Sequence, residues 1–194
     1  MTILAPSEEE LLKYLKLWDS LENYVSQESS LRKLFTKTYP KNNKLDEVLI
    51  KVCSLNDFYS TNIFSPFIVA KHIIKSDIDK KLDKGDLKIV NKIANIAVNK
   101  NKKINFYSFA SKYCSHHKPT FYPIYDSFVE KMLMHFKKKD KFTKFKKSEL
   151  KEYPRFKAIL TEFQSFYGLN SFNLKQIDQY LWLVGKKYFP KKYY

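Results

Sequence analysis

Hydrophobic residues recur at helical spacing along nearly the whole chain. Leu11, Leu15, Trp18, Leu21 and Val25 form one stripe, behind a hydroxyl N-cap at Ser7 and a first turn of Glu8, Glu9 and Glu10. Leu31, Leu34 and Phe35 predict a short second helix, and residues 39–43 a loop. Leu45, Val48, Leu49, Val52 and Leu55 predict a third helix, which runs into the polar stretch 56–62. Pro66 suits a first turn, and Phe67, Val69, Ala70, Ile73 and Ile74 carry that helix to about Ser76. After a break at residues 84–86, Leu87, Val90, Ile93, Ala94 and Ala97 predict a helix that ends at residues 99–103. Phe106, Phe109, Ala110 and Tyr113 predict another, closed by His116, His117, Lys118 and Pro119. Three more follow: one through Val129, Leu133 and Phe136; one through Phe156, Leu160 and Phe163, stopped by Gly168; and one capped by Asn173.

No internal repeat and no βαβ alternation interrupts this pattern. The expected fold class is all-α, with eight or nine helices in one domain over residues 1–194. Its N-terminal helices would occupy 1–43 and its core 44–194, as two helical lobes with a cleft and little or no strand. Composition agrees. Hydrophobic residues make up 44% of the 194, enough for a core, and three glycines and seven prolines are too few for the turns of a sandwich or barrel.

Charge narrows the partners rather than the fold. Lysine and arginine outnumber acids 36 to 20, giving +16, and 34 of the 36 are lysine. An A/T-rich coding bias accounts for part of such a surplus. The rest points first to nucleic acid and second to an anionic membrane surface. Residues 137–157 hold ten basic residues against three acids and read as a solvated basic loop or binding arm. Cys53 and Cys114 form no CxxC pair and are expected as buried thiols in a reducing cytoplasm. The first residues lack a basic start followed by an apolar run, so no signal peptide is expected, and no apolar run is long enough to span a bilayer.

Most familiar chemistry is absent. Three scattered glycines build no phosphate loop, and there is no GxSxG elbow. His116 and His117 are adjacent on a helix end, point apart and lack acids at ligand spacing, so no metal and no cofactor are expected. Cys114 beside these histidines has no nameable oxyanion donor and reads as an inert thiol. The informative segment is residues 106–129: a helix, an aromatic loop, then Pro123-Ile124-Tyr125-Asp126 opening the next helix. Asp126 reads as an N-cap, worth about 1 kcal/mol. A carboxylate at a helix start between Tyr122 and Tyr125 also suits acid–base work, since the helix dipole favours negative charge there.

Pro123 through Val129 resembles the stretch that carries the catalytic aspartate in helix-hairpin-helix DNA glycosylases. Ala110-Ser111-Lys112, His116, Pro119 and Pro123 through Ser127 resemble more closely the small bacterial proteins of the 8-oxoguanine-glycosylase fold. Residues 49–74 are similar to the helix–loop–helix beside that superfamily's lesion pocket, and residues 177–182 to its closing helix. The resemblance implies a monofunctional glycosylase that extrudes a damaged or modified base from double-stranded DNA, in repair or anti-phage defence. Asp126 would stabilise the oxocarbenium-like sugar and orient water, as carboxylates do in glycoside hydrolysis. Lys112 would stabilise charge leaving on the base or pair with Asp126. Asn56, Tyr59, Ser60, Thr61, Tyr122 and Tyr125 would line the base pocket. Lys100, Lys102, Lys103, Lys118, Lys144, Lys146 and Lys147 would contact DNA. The superfamily's glycine turn that grips a phosphate has no counterpart in residues 99–107.

Bland readings stand beside these. Asn56 and Thr61 also suit local backbone capping, and Lys112 a snorkelling surface lysine. Two other functions remain open on the sequence: an inactive nucleic-acid- or nucleotide-binding module of the same fold, and a structural helical protein.

Overall fold

The capping signals of the sequence are made as hydrogen bonds. In α1 (Glu8–Asp19) the Glu10 N–H donates to Ser7 Oγ at 3.2 Å. In α10 (Leu174–Tyr188), Asn173 and Gln176 exchange side-chain to backbone bonds of 3.0 and 2.9 Å, a full capping box. Pro66 opens α4 (Pro66–Lys75), and Gly168 takes the left-handed φ of +68° that follows α9 (Tyr153–Phe166).

The computed structural model describes residues 2–99 and 102–190. Among these the fold is all-α, with ten α-helices and a single two-stranded sheet. The remaining helices are α2 (Glu22–Lys33), α3 (Leu45–Tyr59), α5 (Asp79–Asp83), α6 (Lys88–Ala94), α7 (Tyr107–His117) and α8 (Ser127–Asp140). Contacts divide the chain into two units. One comprises Met1–Val25 and Tyr125–Tyr194, the other Ser26–Ile124.

In the first unit α10 is the central helix, packed on α8, α1 and α9. Leu11, Phe136, Phe163, Ile177 and Leu181 are among its buried residues. In the second unit α3 packs on α4 and α7, and α7 on α6, around Phe35, Val52, Ile73, Ile93 and Tyr113.

The structure departs from the sequence reading in three places. Leu21 and Val25 do not continue α1, which ends at Asp19. Ala97 lies in a strand. The helix stops at Ala94, where Asn95 turns to extended backbone, and β1 (Asn95–Asn99) pairs antiparallel with β2 (Lys102–Asn105). Asparagines at 95 and 99 are weak helix formers, and the Asn105 side chain donates to Asn95 Oδ1 at 2.8 Å. Residues 137–157 are not a solvated loop. They hold the end of α8, a 3₁₀ turn at Lys147–Lys151 and the start of α9, with Phe142, Phe145, Leu150, Tyr153 and Phe156 buried between the lysines.

Candidate functional site

In the second unit every residue of α7 except the half-buried Ser108 is buried. Lys112 is 2% exposed, so it is no snorkelling surface residue. Its ammonium donates to Ser108 Oγ, one turn back, at 2.6 Å, and lies 5.2 Å from the centre of the Tyr59 ring. The Tyr59 hydroxyl shares a 3.0 Å hydrogen bond with His116 Nε2. Lys112, His116 and Tyr59, at the end of α3, thus form one cluster: a buried cation on a π face whose phenol is fixed by an imidazole.

Asn56 and Thr61 hold the loop after α3. Asn56 Oδ1 accepts from Thr61 Oγ1 at 2.8 Å and from the Ile63 N–H at 2.9 Å, while Asn56 Nδ2 donates to the Ile63 carbonyl at 3.2 Å. Ser60 and Asn62 take left-handed φ of 48° and 58° in the same turn. The local-capping reading accounts for both side chains. This stapled loop holds Phe64 outward, 94% exposed, a residue that sequence reasoning passed over. Tyr122 is buried, and its hydroxyl donates to the Asp86 carbonyl at 3.2 Å, an anchor for the 81–86 turn.

A second buried polar group in this unit was also missed. Lys51 Nζ donates to the Tyr39 and Lys41 carbonyls at 3.0 and 2.8 Å and to Asn42 Oδ1 at 2.7 Å. The same oxygen accepts from Tyr113 and lies 3.2 Å from His117 Nε2. Asn42 in turn donates its amide and backbone N–H to Asp79 at 2.6 and 3.0 Å. Burial lowers Lys51 to about 8, against the raising effect of Asp79. Burial, with the Lys51 charge, pushes His117 well below the usual histidine range. The signal was present: Lys51 occupies the apolar stripe of α3 between Val48 and Leu55. All three Lys51 protons point at acceptors, so this cluster is a clamp on residues 39–42.

The two histidines do face apart, His116 to Tyr59 and His117 to Asn42. Among the described residues no group of His, Cys, Asp and Glu is arranged to hold a metal. Burial pushes the Cys114 thiol up, away from reactivity, whereas Cys53 is exposed rather than buried.

In the first unit Asp126 is the N-cap of α8, accepting the Phe128 N–H on Oδ1 at 2.9 Å while partly exposed. The preceding residue is anchored firmly. Tyr125 is buried, donates its hydroxyl to Glu130, accepts from Lys151 Nζ at 2.5 Å and meets Phe156 edge to face. Burial acts to raise Glu130, but Tyr125, Lys147 and Lys151 outweigh it and hold the carboxyl below its ordinary range.

The lysines expected on DNA fall in both units. Lys100 lies outside the described residues, and Lys102 and Lys103 are on β2. Lys118 pairs with Asp83 at 2.8 Å and Lys147 with Glu130 at 3.1 Å. Lys144 and Lys146 are exposed.

The HI_0787_N family model, an N-terminal domain, matches residues 10–121. The chain belongs to the HI_0787_N family. An uncharacterized protein of Haemophilus influenzae is 48% identical over 148 residues, 76% of this chain and 70% of that protein. No solved structure matches. The HI_0787_N match includes the Lys112–Tyr59–His116 cluster and the Lys51 clamp, and it ends before Asp126. Among the described residues no helix is long and apolar enough to cross a membrane.

Proposed function

We propose that the protein is a base-excising hydrolase of double-stranded DNA that acts in a reducing cytoplasm. The observation that carries this reading is Asp126. The carboxylate heads α8 as its N-cap, remains partly open to solvent, and follows a tyrosine anchored on several sides. That arrangement suits a group that must meet a developing positive charge without moving. In the reaction, the bond between C1′ and the base nitrogen breaks and its electrons leave with the base. Asp126 stabilises the oxocarbenium-like sugar and takes a proton from the water that attacks C1′.

The test incubates the full chain with duplexes carrying damaged and phage-type modified bases and scores abasic sites. Wild type should release at least one base. Asp126→Asn should fold normally, retain DNA binding and lose on the order of 10²–10³-fold in rate. A folded, fully active Asp126→Asn would reduce Asp126 to a cap. The β-ribbon that joins α6 to α7 in place of a glycine turn favours a second reading, a binding module without chemistry. DNA binding by wild type with no release from any duplex would establish that reading instead.

A further inference from the structure

The fold sorts the eight lysines of residues 137–151 into two sets of four. Lys137 donates to the Phe145 carbonyl, and Lys139 to the Ile3 carbonyl at 2.9 Å. Lys147 and Lys151 lie 3.1 and 3.7 Å from the Glu130 carboxylate. Lys138, Lys141, Lys144 and Lys146 are exposed, and none has a carboxylate at ion-pair distance among the described residues. Three neighbouring acids are engaged elsewhere. Asp140 accepts from Tyr167, Glu149 from the Lys146 N–H and Arg155, and Glu162 from Thr143 and Arg155.

The segment that carries the outward set is fixed. Phe142 is buried against Phe163, with ring centres 5.4 Å apart, and Phe145 is buried beside it. Arg155 donates to the Lys144 carbonyl at 3.0 Å. A mobile basic loop must lose backbone entropy when it binds, about 1–2 kcal/mol per residue. This segment is already ordered, with its phenylalanines turned inward and its lysines outward.

We infer that Lys138, Lys141, Lys144 and Lys146 form a pre-ordered ridge that grips the phosphate backbone of double-stranded DNA. Lys138 stands in the last turn of α8, about 18 Å along the helix from Asp126, and Lys146 precedes Lys147, which pairs with Glu130 in the first turn, so the ridge follows the length of that helix. Lysines without arginine offer point charges rather than bidentate forks, which suits sequence-independent contact. A membrane surface fits less well, because Phe142 and Phe145, the aromatic side chains of the segment that carries the ridge, are buried rather than free to enter lipid. The inference shares its DNA partner with the proposed function but requires no chemistry.

The test measures binding of the full chain to a short labelled duplex of unmodified DNA across a salt series. Replacing all four ridge lysines with alanine should reduce the log–log salt slope by about 3–4. At low salt its affinity should fall by roughly 10²-fold or more, and unfolding should be unchanged. A control variant replaces Lys71, Lys75, Lys80 and Lys81 with alanine, the same change in charge elsewhere. Equal losses in the two variants would overturn the ridge in favour of net charge. An unchanged slope in the ridge variant would overturn it outright. So would a ridge variant that loses binding to phosphatidylserine vesicles but keeps binding to DNA. Absence of base release would count against the proposed function alone, because unmodified duplex binding does not depend on it.

Discussion

Gly185 provides a direct test of how the Asp126 end of α8 is held. The residue is buried in α10, where that helix meets the first turn of α8. A Cβ at this position would stand 2.8 Å from Phe128 Cβ, 2.9 Å from its carbonyl oxygen and 3.1 Å from its carbonyl carbon. Ordinary contact between carbon atoms is about 3.5–4 Å, so one element must retreat by roughly 0.5–1 Å. The obstacle is largely backbone, and the Phe128 N–H is the one that Asp126 caps. Two effects oppose each other in Gly185→Ala. Alanine is favoured over glycine inside a helix by about 1 kcal/mol. Overpacking costs about 1–3 kcal/mol, and rigid backbone neighbours place it near the upper end. The expected net loss is about 1–2 kcal/mol, a fall in Tm of roughly 2–8 °C for a chain of this size. Denaturant unfolding should show a lower midpoint with an unchanged slope. Under the proposed function the displaced cap should also slow base release, by up to about 10²-fold, with DNA affinity little changed. A Gly185→Ala protein stabilised by about 1 kcal/mol would refute the reasoning, because helix propensity would then have acted without a steric penalty.

Further outcomes follow from other parts of the molecule. Lys51→Met strips a donor from two backbone carbonyls and should cost about 3 kcal/mol in denaturant unfolding; a loss under 1 kcal/mol would show that the clamp is loose. His117 is held neutral in the fold and takes up a proton only when unfolded, so its contribution is complete above about pH 6.5 and stability falls below it, by at most about 1.4 kcal/mol per pH unit. In His117→Gln that component of the slope between about pH 6.5 and 5 should vanish, and an identical pH profile would exclude His117 as its source. Phe64→Ser should leave unfolding within about 0.5 kcal/mol of wild type, since the ring is 94% exposed. Under the proposed function borohydride should trap no adduct between the protein and a substrate duplex; a trapped adduct would replace simple hydrolysis with a lysine nucleophile.

Helices were legible where local and tertiary preferences agree. Ser7, Pro66, Asn173 and Gly168 mark termini through bonds or backbone angles that these residues make by themselves, and the structure shows each one. The pairing of β1 with β2 was illegible because Ile93, Ala94 and Ala97 also fit a helical period; the decision rests on the partner strand at residues 102–105, which the apolar pattern up to Ala97 does not include. The segment 137–157 misled for another reason. Its lysines dominate the composition and mask the apolar residues Phe142, Phe145, Leu150 and Tyr153 that set the packing. Lys51 and Lys112 show the same limit at single residues. Both are buried lysines on helices, but one donates to three oxygens of a loop 9–12 residues earlier, and the other lies over a tyrosine from a distant helix.

Asp126 is the position where reading a cap and reading a catalytic group need not compete. The cap engages Oδ1 with the Phe128 N–H, and it is this bond that fixes the carboxylate at the start of α8. Removing the whole side chain would therefore test two things at once. Asparagine separates them. Its amide oxygen caps a helix about as well as aspartate does, so the turn and its stability should persist in Asp126→Asn. Its missing charge cannot stabilise a cationic sugar, and its amide is a poor base for water. Loss of base release with unchanged unfolding would thus assign the function to the charge. Equal losses in stability and rate would place Asp126 among the residues that merely hold α8 in register.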